Sequence, residues 1–128
     1  MAQEHITLLD NRRVILGVTG SIAAYKAADL ASKLTQAGAL VDVIMTEAAR
    51  QFVTPLTFQS VTGRPVYTTM WQADSSGGLP THIAHVGLGE GADLLIIAPA
   101  TAHTLARLAH GLADDLLSVT ALAARGPV

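Results

Sequence analysis

The segment VILGVTGSIAAYKAADL, Val14 to Leu30, constrains the fold more than any other stretch of the chain. Val14–Val18 is short, apolar and β-branched around Gly17, and reads as a buried strand. Thr19-Gly20-Ser21 stops it. Ser21 to Ala37 then reads as a helix, with Ile22, Ala23, Ala27, Leu30, Ala31 and Leu34 near one face and Gly38 where a C-terminal glycine belongs. ALVDVIMT, Ala39 to Thr46, is a second strand. Strand, tight turn, helix, glycine and strand form a βαβ unit, which implies a parallel sheet and a right-handed crossover.

In an open parallel sheet, ligands sit beyond the carboxyl ends of the strands, and Thr19-Gly20-Ser21 lies at such an end. Gly20 allows a ligand to approach the backbone closely, or a positive φ. Ser21 can cap the helix. The amides at residues 21–23 offer a site for an anion, most simply a phosphate. No acidic residue stands in the first turn of that helix. The loop is neither a Walker A motif nor a three-glycine dinucleotide fingerprint, and GLGEG at Gly87–Gly91 precedes a strand instead of following one. Phosphate binding and a plain tight turn both remain open on this evidence.

Further along, TEAARQFV suggests a short helix, TPLTFQSVTG another ended by Gly63, and RPVYTTM a short strand. Gln72–Pro80 is a loop by its Ser, Gly and Pro content. Ala92–Thr101 holds a third buried strand, LLIIA, stopped by Pro99. AHTLARLAHG reads as a helix closed by Gly111, and ADDLLSVTALAARG as a helix with Asp114 and Asp115 in its first turn. The closing RGPV has the composition that launches another strand, so the chain reads as interrupted. The expected organisation is a flexible leader over residues 1–12 and one domain over residues 13–128. The expected class is α/β, an open parallel sheet with helices on both faces and its C-terminal part missing.

Half the residues are hydrophobic and only 14% are charged, below the usual quarter. A small domain with so few polar residues is expected to bury apolar surface against other subunits. The formal net charge is −2, no basic run occurs, and there are only two Phe, two Tyr and one Trp. That argues against nucleic acid as a partner. Cysteine is absent, which excludes disulfides and thiolate chemistry within this sequence and fits a reducing compartment. With no signal-peptide pattern and no apolar run of membrane-spanning length, a cytoplasmic location is expected and no membrane partner.

Three segments, GVTGSIAAYKA, VIMTEAA and APATAHTLARLAHGLADDLLSVTALAA, resemble the homo-oligomeric flavin-containing cysteine decarboxylase family. The resemblance spans roughly residues 12–128. It is closest to the phosphopantothenoylcysteine decarboxylase branch, the flavoprotein half of bifunctional coenzyme A enzymes. It implies FMN as cofactor, a Rossmann-like fold, and a homotrimer or dodecamer of trimers with the flavin at a subunit interface. Carried over by motif, Gly20, Ser21 and Ile22 correspond to the loop near the flavin phosphate and ribityl chain, and Thr46 to a flavin contact. Pro99, Ala100 and Thr101 match the family's Pro-Ala-Ser/Thr loop. Asp114 to Ser118 match the following helix start, with Ser118 as the cofactor contact.

The family's catalytic histidine stands eight residues before the Asp of an Ala-Asp-apolar strand, which makes it His85, counted from Asp93. His85 is therefore the expected acid/base. His82, three residues earlier, is a decoy, and no third ligand accompanies the pair, so no metal is expected. His103 stands where many relatives carry Asn, and is a candidate substrate contact. His110 is expected on a helix surface. The implied reaction is decarboxylation of 4'-phosphopantothenoylcysteine to 4'-phosphopantetheine in coenzyme A biosynthesis. Oxidation of the thiol-bearing carbon to a thioaldehyde provides an electron sink β to the carboxylate, and the hydride is later returned. The family's Pro-Ala-Met-Asn motif and a later Cys have no counterpart here. The alternatives are a non-catalytic FMN-binding or regulatory subunit, and a flavin prenyltransferase of similar fold.

Overall fold

Alternating and fully apolar runs pair here into one parallel sheet. The computed structural model describes residues 8–70 and 88–128. Among them are the strands β1 (Arg13–Val18), β2 (Leu40–Met45), β3 (Val66–Tyr67) and β4 (Leu94–Ile97). Their order is β3-β2-β1-β4, and every neighbouring pair is parallel. Val14 lies opposite Val41 on one side and Leu94 on the other. The helices that lie wholly within the described residues are α1 (Ala24–Gln36), α2 (Pro55–Thr62), α3 (Ala102–His110) and α4 (Leu116–Ala123). The loop expected over Gln72–Pro80 lies outside the described residues.

Strand periodicity splits the core in two. Val14, Leu16 and Val18 share a face with Val41, Val43 and Met45, and pack against Ala24, Ala27 and Ala31 of α1 and Phe58 of α2. Small side chains on α1 let that helix lie close to the sheet. Ile15, Ile44 and Leu95 point the other way, onto Leu116 and Leu117 of α4. Helices therefore cover both faces, as the sequence predicts. Gly17 is required by this second layer. A Cβ there would collide with the side chain of Leu117, which is itself buried.

Several local expectations change. The first helix begins at Ala24, not Ser21. The Ala23 amide donates to Ser21 Oγ at 3.2 Å and the Ala24 amide to the Ser21 carbonyl at 2.9 Å. This local bonding holds Ser21–Ala23 as a turn. TEAARQFV yields only a 3-10 turn, Ala49–Gln51. In RPVYTTM only Val66 and Tyr67 pair with β2. Of β4, expected to be fully buried, only Leu95 is buried, because β4 is the outer strand of the described sheet. The Leu95 amide donates to the Pro127 carbonyl at 3.0 Å, so the RGPV segment runs beside that edge. Residues 8–12, the described end of the expected leader, form a turn whose Leu9 and Asn11 amides both donate at 3.1 Å, to Ala37 and Gly38 respectively.

Asp42 is the one charged residue in β2, and alternation turns it to the α4 face, where its side chain is only 4% exposed. Arg64 Nε donates to it at 2.8 Å. That hydrogen bond, helped by the charge of Asp42, raises the Arg64 pKa above its ordinary value against the opposing effect of burial.

Two outcomes follow for denaturant unfolding. Gly17→Ala lowers stability by about 1–3 kcal/mol through overpacking, and adding Leu117→Ala recovers part of that loss instead of adding its own cost. Arg64→Met strands a buried carboxylate and costs about 1–3 kcal/mol, below the figure for a fully buried pair because the Arg64 side chain is 33% exposed. A further Asp42→Val change restores most of it.

Candidate functional site

After β1 the chain turns to α1 on one face of the sheet. After β4 it leads to α4 on the other. Two adjacent parallel strands whose connections diverge leave a crevice beyond their carboxyl ends. Thr19 closes the base of that crevice. Its hydroxyl donates to the Pro99 carbonyl and accepts the Thr101 amide at 3.0 Å, and it is almost fully buried. The loop after β2 joins on the other side, where the Thr46 amide donates to the Val18 carbonyl at 3.1 Å and Thr46 Oγ1 accepts the Ala49 amide at 3.2 Å.

Above this base lies a cleft of about 720 Å³, lined by Gly20, Thr46, Glu47, Ala48, Gln51, Thr101, His103, Thr104, Arg107, Asp114 and Asp115. That size is within the range of small-molecule sites. A side lobe of about 270 Å³ shares Thr46, Glu47, Asp114 and Asp115 and adds Met45, Arg50, Met70, Leu116 and Leu117 among its walls. Gly20 is pressed against the β2 loop: a Cβ there would strike Ala48 Cβ and come within 2.8 Å of the Ala48 carbonyl carbon. Among the described residues, the amides of Gly20, Ser21 and Ile22 donate to no protein acceptor. Gly20 lines the cleft, and unpaired amides at and next to it favour an anionic or acceptor-rich occupant.

Two helix starts form the opposite wall. Thr101 caps α3, its Oγ1 accepting the Thr104 amide at 3.2 Å. Asp115 caps α4 in a reciprocal capping box: Ser118 N donates to Asp115 Oδ1 at 2.8 Å, and Asp115 N donates to Ser118 Oγ at 3.2 Å. Arg107 joins the two starts. Its Nε donates to His103 Nε2 at 3.0 Å, and its Nη1 pairs with Asp114 and, at 3.5 Å, with Asp115.

Gly20, Thr46, Thr101 and His103 thus meet on one cleft. Ser21 and Ile22 follow Gly20 in the chain but are not among the residues that line the cleft, and Ile22 is 77% exposed. Pro99 contributes its carbonyl to Thr19, while its ring lines a separate apolar hollow with Ala23, Ala27, Leu30 and Ala98. Ala100 is exposed. Ser118 is buried, gives its hydroxyl to the Asp115 cap, and borders a different hollow with Leu108 and Leu122. Asp114 and Asp115 are not in the first turn of α4: Asp115 caps it and Asp114 precedes it. His110 is exposed at the end of α3. His82 and His85 lie outside the described residues. Sequence reasoning missed Thr19 and Arg107. Arg107 had a signal in its i,i+4 spacing from His103. Thr19 had none, because its partner Pro99 is 80 residues away.

The flavoprotein family profile matches residues 2–128. A coenzyme A biosynthesis bifunctional protein CoaBC of Bacillus subtilis is 51% identical over 121 residues, covering 94% of this chain and 29% of that protein. A probable phosphopantothenoylcysteine decarboxylase of Streptococcus mutans is 49% identical over 112 residues, covering 88% of this chain and 60% of that protein. The chain therefore spans less than two thirds of the length of these curated relatives. Among solved structures, the FMN-dependent cysteine decarboxylase SpaF superposes with a TM-score of 0.79 at 40% identity, over 93% of this chain and 66% of that one. A PPC decarboxylase variant complexed with pantothenoylaminoethenethiol gives 0.72 at 30% identity, over 90% and 62%.

Thr19→Val keeps the shape of the side chain and removes its donor and acceptor. The Thr101 amide loses its acceptor, and the Pro99 carbonyl keeps only the Thr19 amide at 3.4 Å; stability falls by about 1–3 kcal/mol, and hydrogen exchange at the Thr101 amide accelerates more than at β1 amides.

Proposed function

The chain belongs to the flavoprotein family, and from that premise we propose that its cleft holds FMN and serves decarboxylation of 4'-phosphopantothenoylcysteine to 4'-phosphopantetheine. The observation that carries this reading is the cradle at Gly20–Ile22. Three amides are unpaired among the described residues, and Gly20 is packed so tightly on Ala48 that a Cβ would have to displace it. Such a cradle fits the phosphate of a mononucleotide. The names of the relatives, cysteine decarboxylases and coenzyme A enzymes, support the substrate class.

In this reading the amides of Gly20, Ser21 and Ile22 hold the anionic end, and the hydroxyl of Thr46 and the loop Pro99-Ala100-Thr101 border the rest of the cofactor. FMN, when bound, supplies a two-electron oxidation at the carbon that bears the thiol. Ser118 contributes through Asp115, whose position its hydroxyl holds. His103 lines the same cleft and borders both the cofactor and the substrate. His85 moves the proton or orients the carboxylate. The reading includes a cytoplasmic homotrimer, or an assembly of trimers. Exposed Ile22 and Tyr25, beside the apolar hollow at Ala23 and Pro99, support burial against further subunits. Among the described residues no helix is long and apolar enough to cross a membrane.

Purified protein is expected to quench FMN fluorescence in a saturable titration, and Gly20→Val to weaken that binding at least tenfold. Release of CO₂ from 4'-phosphopantothenoylcysteine should fall by about 10²–10⁴ in His85→Asn while FMN binding is kept. Failure of the wild type to take up FMN removes the flavin reading. FMN uptake without CO₂ release favours a non-catalytic flavin-binding subunit, and equal rates in both proteins eliminate His85 as the acid/base.

A further inference from the structure

His103 and Arg107 lie one turn apart on α3, and both line the cleft. The guanidinium of Arg107 is engaged on two sides. Nη1 faces the carboxylates of Asp114 and Asp115, and Nε faces His103 Nε2 at 3.0 Å. Asp115 is in turn held by the capping box with Ser118. The guanidinium therefore has a fixed orientation, with its Nε–H aimed at the imidazole.

Arginine is a donor only, so His103 Nε2 must be the acceptor of that bond. A neutral imidazole carries one proton, which then resides on Nδ1. We infer that Arg107 is a positioning residue that locks His103 in its Nδ1–H tautomer, so that the ring presents a hydrogen-bond donor to an acceptor on the occupant of the cleft. The role differs from direct binding of an anion by Arg107, whose charge is already answered by two carboxylates. It also explains why three acidic and basic groups gather at the rim around a histidine that makes no other side-chain bond among the described residues. The inference takes its probe, FMN, from the flavin reading. The tautomer itself does not depend on that reading.

The test has two readouts on the intact protein. Long-range ¹H–¹⁵N correlations of the apo protein at about pH 8.5, where a free imidazole is neutral, report the tautomer. The His103 signals are identified by their loss in His103→Asn. The wild type and Arg107→Lys should show Nδ1–H, and Arg107→Met should shift the ring toward Nε2–H. Circular dichroism and the thermal midpoint verify that each variant is folded, and Arg107→Ala, which also removes the donor, takes the place of Arg107→Met if that variant is not. In FMN titrations, Arg107→Met and His103→Leu should each weaken binding about three- to tenfold. The double variant should be no weaker than His103→Leu alone, and His103→Asn, which retains an N–H donor, should stay within about twofold of wild type. An Nε2–H ring in the wild type overturns the inference. So does a full Arg107→Met loss on top of His103→Leu, which would mean that Arg107 touches FMN directly. If the wild type binds no FMN, the flavin reading falls and the tautomer signals alone decide this one.

Discussion

The hydroxyl of Thr19 joins two loops that leave the sheet toward opposite faces, and the crevice exists in its present shape because that bond holds its base. One oxygen donates to the Pro99 carbonyl and accepts from the Thr101 amide. Thr19 is almost fully buried, so losing its hydroxyl would leave the Thr101 amide without its acceptor. The arrangement is possible because β1 lies between β2 and β4, in register with both. The central strand thereby delivers Thr19 and Gly20 to the point where three loops meet. Thr19 secures the β4 loop, and Gly20, lacking a side chain, lets the β2 loop close to van der Waals contact at Ala48.

Packing on the two faces uses the same device in opposite senses. On the α1 face the helix supplies the small residues, Ala24, Ala27 and Ala31, and the strands supply the large ones. On the α4 face the sheet supplies the small residue, Gly17, and the helix the large one, Leu117. Both bring a helix axis close to the sheet, which sets where each helix N-terminus stands relative to the strand ends. The position of Asp115, and with it the far wall of the cleft, therefore depends on a contact in the core.

The polar wall has a consistent internal logic. Ser118 holds Asp115, Asp115 and Asp114 hold Arg107, and Arg107 faces His103. Each bond in this series removes freedom from the next group, so the histidine at its end is pre-oriented at small entropic cost on binding. The other wall works differently: it offers main-chain amides, whose direction is set by the backbone turn at Ser21–Ala23. A turn in that place, instead of the first turn of a longer helix, follows directly on Gly20, which lines the cleft. The serine bonds at Ala23 and Ala24 explain why the helix starts late.

The family resemblance supplied Thr46 and Thr101, and sequence pattern alone determined the β1-α1-β2 unit, the parallel sheet with two covered faces, the C-terminal glycines at Gly38, Gly63 and Gly111, and the strand-end position of Gly20. These are legible because apolar period, glycine and strand-end position are local properties of the chain. Tertiary structure alone decided that Thr19 bonds to Pro99 across 80 residues, that β4 is the outer strand among the described residues with only Leu95 buried, that Ser118 serves a cap, and that Asp42 is buried against Arg64. The reason is physical. A hydroxyl or carboxylate has no periodicity, and whether it faces a partner, a ligand or solvent is set by which distant segment the sheet order brings to it.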